Sequence, residues 1–358
     1  MSAFRDWRRW DAPLFCAALA LALVSAVAMV SAAATLNPRL ALRHDCWILI
    51  GILLSWAVSQ TAYHRWTDAA WAAYAASLTA LLLVPLAGAM RLGATRWLSI
   101  FGLSVQPSEL AKAATIWLLA RYFAGQPNPL PPRAVWISLA IAVPPALLIF
   151  AQPDLGSASV LGAIWLGMAW CAGMTPRMLA GLGVSVLLLS PAAWHSLKAF
   201  QRDRLLAFLN PHADPLGAGF SVIQSTIAIG SGRLWGRGWF AGTQNQLNFL
   251  PERHSDFIFS VIGEEWGFAG CLALIVLYGL LLVRIARIGL RASDPQGQLL
   301  AGGVFSWLAY QACVNLGMVS GLLPVVGVPL PLMSYGGSSM VVVWVALGLI
   351  QSVHRGTE

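Results

Sequence analysis

Ten stretches of the chain are apolar and long enough to cross a hydrocarbon core of about 30 Å as helices. They lie near residues 13–35, 46–63, 69–90, 107–123, 134–151, 156–173, 177–196, 257–284, 297–321 and 332–353. Composition leaves lipid as the only solvent for so much apolar surface. Hydrophobic residues make up 58% of the 358 and charged residues 10%, with a mean hydropathy of +0.71. Fourteen acids and 22 bases cannot coat a soluble core of that size. The expected fold is an all-α integral membrane protein of about ten transmembrane helices, one polytopic domain over residues 1–358.

Arg5, Arg8 and Arg9 precede the first stretch, which ends in VSAAAT, in the manner of a signal peptide. It is too long for an h-region and nine spans follow, so it is taken as a retained helix. Orientation follows the bases in short loops. With the N-terminus inside, that side carries Arg5, Arg8, Arg9, Arg65, Arg121, Arg133, Arg177, Arg284, Arg287, Arg291 and Arg355, while the outer short loops carry Arg39, Arg43, Arg91 and Arg96. Both termini are therefore expected to be cytoplasmic. No nucleic-acid partner is expected.

Between spans seven and eight runs a polar segment of about 197–256, too long for a plain connector. It is expected to be a large extracytoplasmic loop. Within it, FSVIQSTIAIGSG has an apolar face that suits lying at the interface or re-entering the membrane, and NPHADPLGAG and GSGRLWGRGWFAG are turn-rich. Cys16, Cys46, Cys171, Cys271 and Cys313 fall in or at the ends of apolar spans without paired spacing, and are read as packing residues.

Ionisable groups inside spans are costly and default to functional hypotheses. In VQPSELAKAA, Glu109 and Lys112 are three residues apart and share a helix face. They form either a neutralised pair that makes burial tolerable or the border of a polar cavity. In FAQPDLGSAS, Asp154 follows Pro153, where it can cap the next helix. The densest cluster is FLPERHSDFIFSVIGEEWGF, residues 249–268. Ser255 or Asp256 can cap the eighth span, where the helix dipole favours an ionised carboxylate. An extended approach to that helix would aim Glu252, His254 and Asp256 to one side. Glu264 and Glu265 are expected to face the bundle interior, as a hydrogen-bonded structural pair or as part of a cavity. Arg204, Arg233 and Arg237 are candidates for an anion site whose glycines let backbone approach closely. From the residues alone, the chain is an outward-facing membrane enzyme or a transporter for an anionic amphiphile.

Five blocks, taken in order, resemble the SEDS family (shape, elongation, division and sporulation): ATRWLSIFGLSVQPSELAK, QPDLGSA, NPHADPLGAGFSVIQSTIAIGSGRLWGRGW, NFLPERHSDFIFSVIGEEWGFAG and GLLPVVGVPLPLMSYGGSS. The stretches GTQNQLNFLPERHSDFIF and VVGVPLPLMSYGGSS are more similar to its elongation members than to its division members. Ser255 stands where the family often has Thr, which keeps the hydroxyl.

The resemblance implies a peptidoglycan glycosyltransferase that polymerises lipid II at the outer face of the bacterial cytoplasmic membrane for cell elongation and rod shape. Implied partners are a class B penicillin-binding protein that crosslinks the strands, other elongation-complex proteins and membrane lipids. The essential carboxylate of the family's H-[ST]-D-F motif maps to Asp256, which would take the proton of, or orient, the acceptor hydroxyl. Glu109, Lys112, Asp154, Arg43 and Trp97 map around the extracytoplasmic cavity, and Arg204 and His254 join them as substrate-site candidates. The transfer inverts the anomeric carbon, so one base suffices, and positive charge can replace the acid that would protonate a poorer leaving group. Lys112, Arg43, Arg204 or a divalent cation (Mg or Mn) could supply that charge, and Asp256 could instead hold the metal. The rival reading is a lipid II flippase, which would place its functional charges near the bilayer midplane. A weaker third is a scaffold that only activates the partner.

Overall fold

The computed structural model describes residues 10–91, 94–100, 103–217 and 219–356. Arg5, Arg8 and Arg9 of the orientation argument lie outside the described residues. The chain opens with α1 (Ala12–Ala33), α2 (Arg39–Ser59), α3 (Tyr63–Asp68) and α4 (Ala70–Ala87). A small antiparallel sheet follows, β1 (Ala89–Arg91), β2 (Ala94–Ile100) and β3 (Leu103–Val105), in that spatial order. Next come α5 (Pro107–Ala124), α6 (Pro132–Ala151), α7 (Leu155–Cys171) and α8 (Pro176–Ser196), and then the short helices α9 (Ala199–Leu209), α10 (Phe220–Ser231) and α11 (Thr243–Gln246). The chain closes with α12 (Ile258–Arg291), α13 (Pro295–Val319) and α14 (Gly337–Arg355).

The ten expected spans are α1, α2, α4 to α8 and α12 to α14. Six of them, α1, α2, α6, α12, α13 and α14, are long and apolar enough to cross a membrane by length and composition. α4, α7 and α8 contain shorter apolar stretches, and α5 carries Glu109, Lys112 and Arg121. α2 begins at Arg39, seven residues before its apolar stretch, so that Arg43, His44 and Asp45 ride on the helix. A hydropathy window does not register those first two turns, which carry the charges.

Helix starts follow their capping chemistry. Asp11, Asp154 and Asp294 accept from Leu14, Ser157 and Gly297 amides at 2.8, 3.0 and 2.6 Å, and Pro stands in the first turn of α1 and α13. Asp11 also joins the two ends of the chain. Its amide donates to Gln351 Oε1 and its carbonyl accepts from Gln351 Nε2, both at 2.9 Å, while Arg284 Nε donates to its carboxylate at 3.1 Å. Residues 11 and 351 therefore share one end of the bundle; the segment 197–257 crowns the other.

α12 is broken at Gly267, whose φ of +67° no helix accommodates. Residues 233–238 are laid into the break. The Phe268 and Ala269 amides donate to the Arg233 and Leu234 carbonyls at 2.8 and 3.0 Å, and the Arg237 and Gly238 amides donate to the Glu264 and Glu265 carbonyls, both at 3.0 Å. Non-helical backbone inside a span is tolerated where freed groups find protein partners, as these four do. Gly236 has φ +83°, and a Cβ there would lie 2.1 Å from the Glu265 carbonyl oxygen. The expected outcome is that Gly236→Ala lowers the melting temperature in detergent by several degrees, a cost of about 1–3 kcal/mol. Gly181→Ala on α8, where a Cβ would meet nothing within 4 Å, serves as the neutral comparison.

α8 stands off the bundle, with Val186, Leu187 and Leu188 at 69%, 72% and 74% exposure. Between it, α7 and α13 opens an apolar cavity of about 560 Å³ lined by Gly162, Leu166, Trp170, Leu179, Ser306 and Tyr310.

Candidate active site

Asp256 belongs to a tight turn rather than the extended run expected for 252–256. Glu252 has φ +46°, and its carbonyl accepts the amides of Ser255, Asp256 and Phe257 at 3.0, 3.0 and 3.3 Å. The capping expectation is also corrected. Phe257 is the N-cap of α12 and no side chain bonds to the first turn; the Ser255 hydroxyl turns back to the Glu252 carbonyl at 3.2 Å. Without a capping bond, the carboxylate of Asp256 loses the stabilisation that would have made it a weak base.

Its environment does the opposite. Burial pushes the Asp256 carboxyl up to about 6, the Glu252 and Asp154 carboxylates add to the rise, and Arg204 and Arg96 oppose it. The residue keeps partial exposure. Its carboxyl is thus charged at neutral pH while holding a proton affinity near that of a working general base.

Arg96 and Arg204 line one small cavity with Pro153, Gln201, Pro324 and Val326. The Arg96 guanidinium is braced by the Gln152 carbonyl at 3.2 Å and by the Pro153 carbonyl. The wall 324–326 continues into Gly327, where a Cβ would sit 3.4 Å from Asp256 Oδ2. The Asp256 carboxylate thus lies against Gly327, next to that wall, and feels the charge of both guanidiniums.

The other candidates divide. Asp154 caps α7 and is buried, and its charge is felt at Asp256. Glu109 and Lys112 pair at 2.8 Å, both buried in the first turns of α5, and Lys112 Nζ lies 5.1 Å from the Trp307 ring centroid. His254 lies 3.9 Å from the Glu252 carboxylate. Burial lowers its pKa, the neighbouring Arg253 lowers it further, and Glu252 opposes them. His254 is therefore neutral at neutral pH and supplies no charge to an anion. Arg43 is exposed on α2 and Trp97 sits part-exposed on β2 opposite Ala89.

The expected anion site of Arg204, Arg233 and Arg237 is not assembled. Arg204 shares its cavity with Arg96, whereas Arg233 and Arg237 belong to the inlay in α12, with Arg237 Nη1 donating to Thr243 at 2.9 Å. Gly232 and Gly236 of GSGRLWGRGW approach the backbone of α12, a Cβ at Gly232 lying 1.9 Å from the Gly263 carbonyl oxygen. FSVIQSTIAIGS, as α10, docks on α12 and α13: the Ser225 and Ser260 hydroxyls are 2.7 Å apart, and Ser225 also donates to the Val319 carbonyl.

Half of the charge cluster at 249–268 is architecture. Arg253 is buried and donates to the Ala32 carbonyl at 2.9 Å, and to Asn245 and Thr35. Glu264 accepts the Gln244 and Asn245 amides at 2.9 and 3.1 Å, and Glu265 accepts from Asn245 Nδ2 at 3.0 Å and from Ser31. The hydrogen-bonded reading of the two glutamates holds. Glu252, His254 and Asp256 remain at the site.

Among the described residues, no three His, Cys, Asp or Glu side chains come together as a metal-ion site. That donor set does not fit Asp256 as the centre of a protein-built cation site. Sequence reasoning also passed over Arg96, counted only for orientation, and Asn315, a lone Asn in the apolar run QACVNLGMV. A polar side chain inside a span was the available signal for the second.

Residues 10–358 match the family described as "Cell cycle protein", FtsW, RodA and SpoVE. The chain is 44% identical over 290 residues to the peptidoglycan glycosyltransferase MrdB of Escherichia coli strain K12, covering 79% of this chain and 78% of that protein. Its fold is similar to a chain from a solved peptidoglycan synthase complex that coordinates polymerization and crosslinking, with TM-score 0.85, 36% identity and coverage of 98% and 99%. It is also similar to the rod shape determining protein RodA of Thermus thermophilus, with TM-score 0.73, 30% identity and 98% of each chain covered.

Proposed function

Because the chain belongs to the SEDS family of cell cycle proteins, we propose that Asp256 is the general base of its glycosyl transfer and that Arg96 and Arg204 receive the leaving pyrophosphate. The chain is a multi-pass membrane peptidoglycan glycosyltransferase of the elongation type, polymerising lipid II by inverting transfer. The acceptor's 4-hydroxyl oxygen attacks the anomeric carbon of the donor, and the bond from that carbon to the pyrophosphate oxygen breaks. The hydroxyl proton passes to the Asp256 carboxylate, and the electron pair of the broken bond leaves with the lipid pyrophosphate. Two guanidiniums supply forked donors to that anion. Preorganised charge of this kind in a partly dry site lowers the barrier by several kcal/mol.

The observation that carries this reading is a carboxyl held near pH 6 beside a two-arginine cavity. The apolar cavity against α8 suits the lipid chain of the substrate, open to the bilayer while the sugars lie at the loop-rich end. We place that end at the outer face of the bacterial cytoplasmic membrane and both termini inside, following the arginines. The partner is a class B penicillin-binding protein that crosslinks the new strand, a proposal supported by the likeness to a synthase-complex chain.

The test is the pH dependence of lipid II polymerisation by the purified protein. A base must be ionised to accept, so the rate is expected to fall about tenfold per unit as pH drops below about 6 and to level off above about 7. A profile flat down to pH 5 would remove Asp256 from the proton transfer.

A further inference from the structure

Three consecutive carbonyls of the Asp256 turn each accept a hydrogen bond from outside it. The Tyr335 amide donates to His254 at 2.8 Å, the Ser334 hydroxyl to Ser255 at 2.5 Å, and Asn315 Nδ2 to Asp256 at 2.9 Å. These bonds fix the planar peptide units on both sides of Asp256, and with them the direction of its Cα–Cβ bond. The turn's own bonds to the Glu252 carbonyl do not set that direction against the rest of the protein.

Asn315 does more than hold the turn. It is buried in α13, and its Nδ2 gives a second hydrogen bond to the Val328 carbonyl at 2.8 Å, while its Oδ1 has no protein partner. Val328 lies two residues past Val326, on the wall of the Arg96 and Arg204 cavity, and between them Gly327 faces Asp256 Oδ2. Ser334, which holds the neighbouring carbonyl, itself accepts the Leu330 amide at 2.8 Å. The turn that carries the base and the segment that walls the basic cavity are therefore fastened to each other through two side chains.

We propose that Asn315, seconded by Ser334, is a positioning residue that sets the distance between Asp256 and the two-arginine cavity, and so aligns proton acceptance with departure of the pyrophosphate. This rests on the role given to Asp256 above. A misplacement of about 1 Å is enough to cost on the order of 100-fold in rate, whereas the substrate's contacts elsewhere are untouched.

The experiment measures kcat and KM for lipid II polymerisation by Asn315→Ala, Ser334→Ala and Ser334→Thr, together with Asp256→Asn and the double variant Asp256→Asn/Asn315→Ala, all in the full chain. The expected result is a fall in kcat of about 10- to 100-fold for the two alanine variants, with KM within about threefold and recovery in Ser334→Thr. Asn315→Ala is expected to add no further loss on the Asp256→Asn background, because the residue it positions is already disabled. Wild-type kcat in both alanine variants overturns the inference, and so does an equal, additive loss on the Asp256→Asn background. Should Asn315→Ala fail to fold, the two Ser334 variants decide alone. Activity surviving in Asp256→Asn overturns the assignment of the base itself; an inactive Asp256→Asn with a fully active Asn315→Ala overturns only the positioning role.

Discussion

Asparagine at Asp256 is expected to lower glycan synthesis by about 10²- to 10⁴-fold, the span over which a positioned general base contributes, while the folded protein becomes more heat-stable. The two effects have one cause. The carboxyl titrates near 6 in the folded protein against about 3.9 in an unfolded chain. Its contribution to stability is fully present below about pH 4 and lost as pH rises through about 6, so at neutral pH the native state carries an ionised group in a setting that disfavours it. Asparagine keeps the shape and removes the charge. The gain is at most about 3 kcal/mol at about 1.4 kcal/mol per pH unit, reduced by the residue's partial exposure. Activity and melting temperature should thus move in opposite directions, measured on one preparation by polymerisation and thermal unfolding in detergent. A melting temperature that falls with activity would assign Asp256 to the architecture.

Truncation of Lys112 to alanine is the second large effect, and here activity and stability should fall together. Glu109 and Lys112 are both buried, 2.8 Å apart, and Glu109 Oε2 has no protein hydrogen bond to fall back on. Removing one partner of a buried pair typically costs about 3–5 kcal/mol, because an uncompensated carboxyl group is left behind. The Trp307 ring loses its cation as well. Replacing both residues, Glu109→Gln with Lys112→Met, removes the unpaired charge and should recover most of the melting temperature. If the double replacement restores stability but not polymerisation, the pair acts on substrate; if it restores both, the pair is structural. A Lys112→Ala protein as stable as the parent would contradict the buried pairing.

Much of the scaffold is legible in the sequence because a bilayer accepts few solutions. Ten apolar runs became ten helices, since a backbone in lipid must satisfy its own hydrogen bonds. The pairing of Glu109 with Lys112 and the capping by Asp154 follow from spacing of three residues and a preceding proline. What failed was anything set by the path of irregular chain. Alternation of charged residues over 252–256 looks the same in a strand and in a turn, so the sequence does not tell the extended run from the turn the structure holds. Glycines in 230–242 suit an anion as well as a helix in the sequence; Gly232, Gly236 and Gly242 in fact approach the broken α12, 22 to 32 residues further along. Arg253, Glu264 and Glu265 have the residue types of a site and the hydrogen bonds of a frame, a distinction that only partners reveal. Asp256 was found from the family's motif. That its base strength is raised rather than lowered follows from burial and from the Glu252 carboxylate beside it, which residue type does not disclose.

Polymerisation of lipid II and its carriage across the membrane are separable in one sample. The most direct measurement reconstitutes the wild-type protein in vesicles, with a partner transpeptidase whose own serine is removed. Labelled lipid II is offered in one leaflet, and glycan length and transbilayer movement are read from the same sample. Long glycan without added transbilayer movement is the predicted result. Transbilayer movement without any polymer would contradict the account.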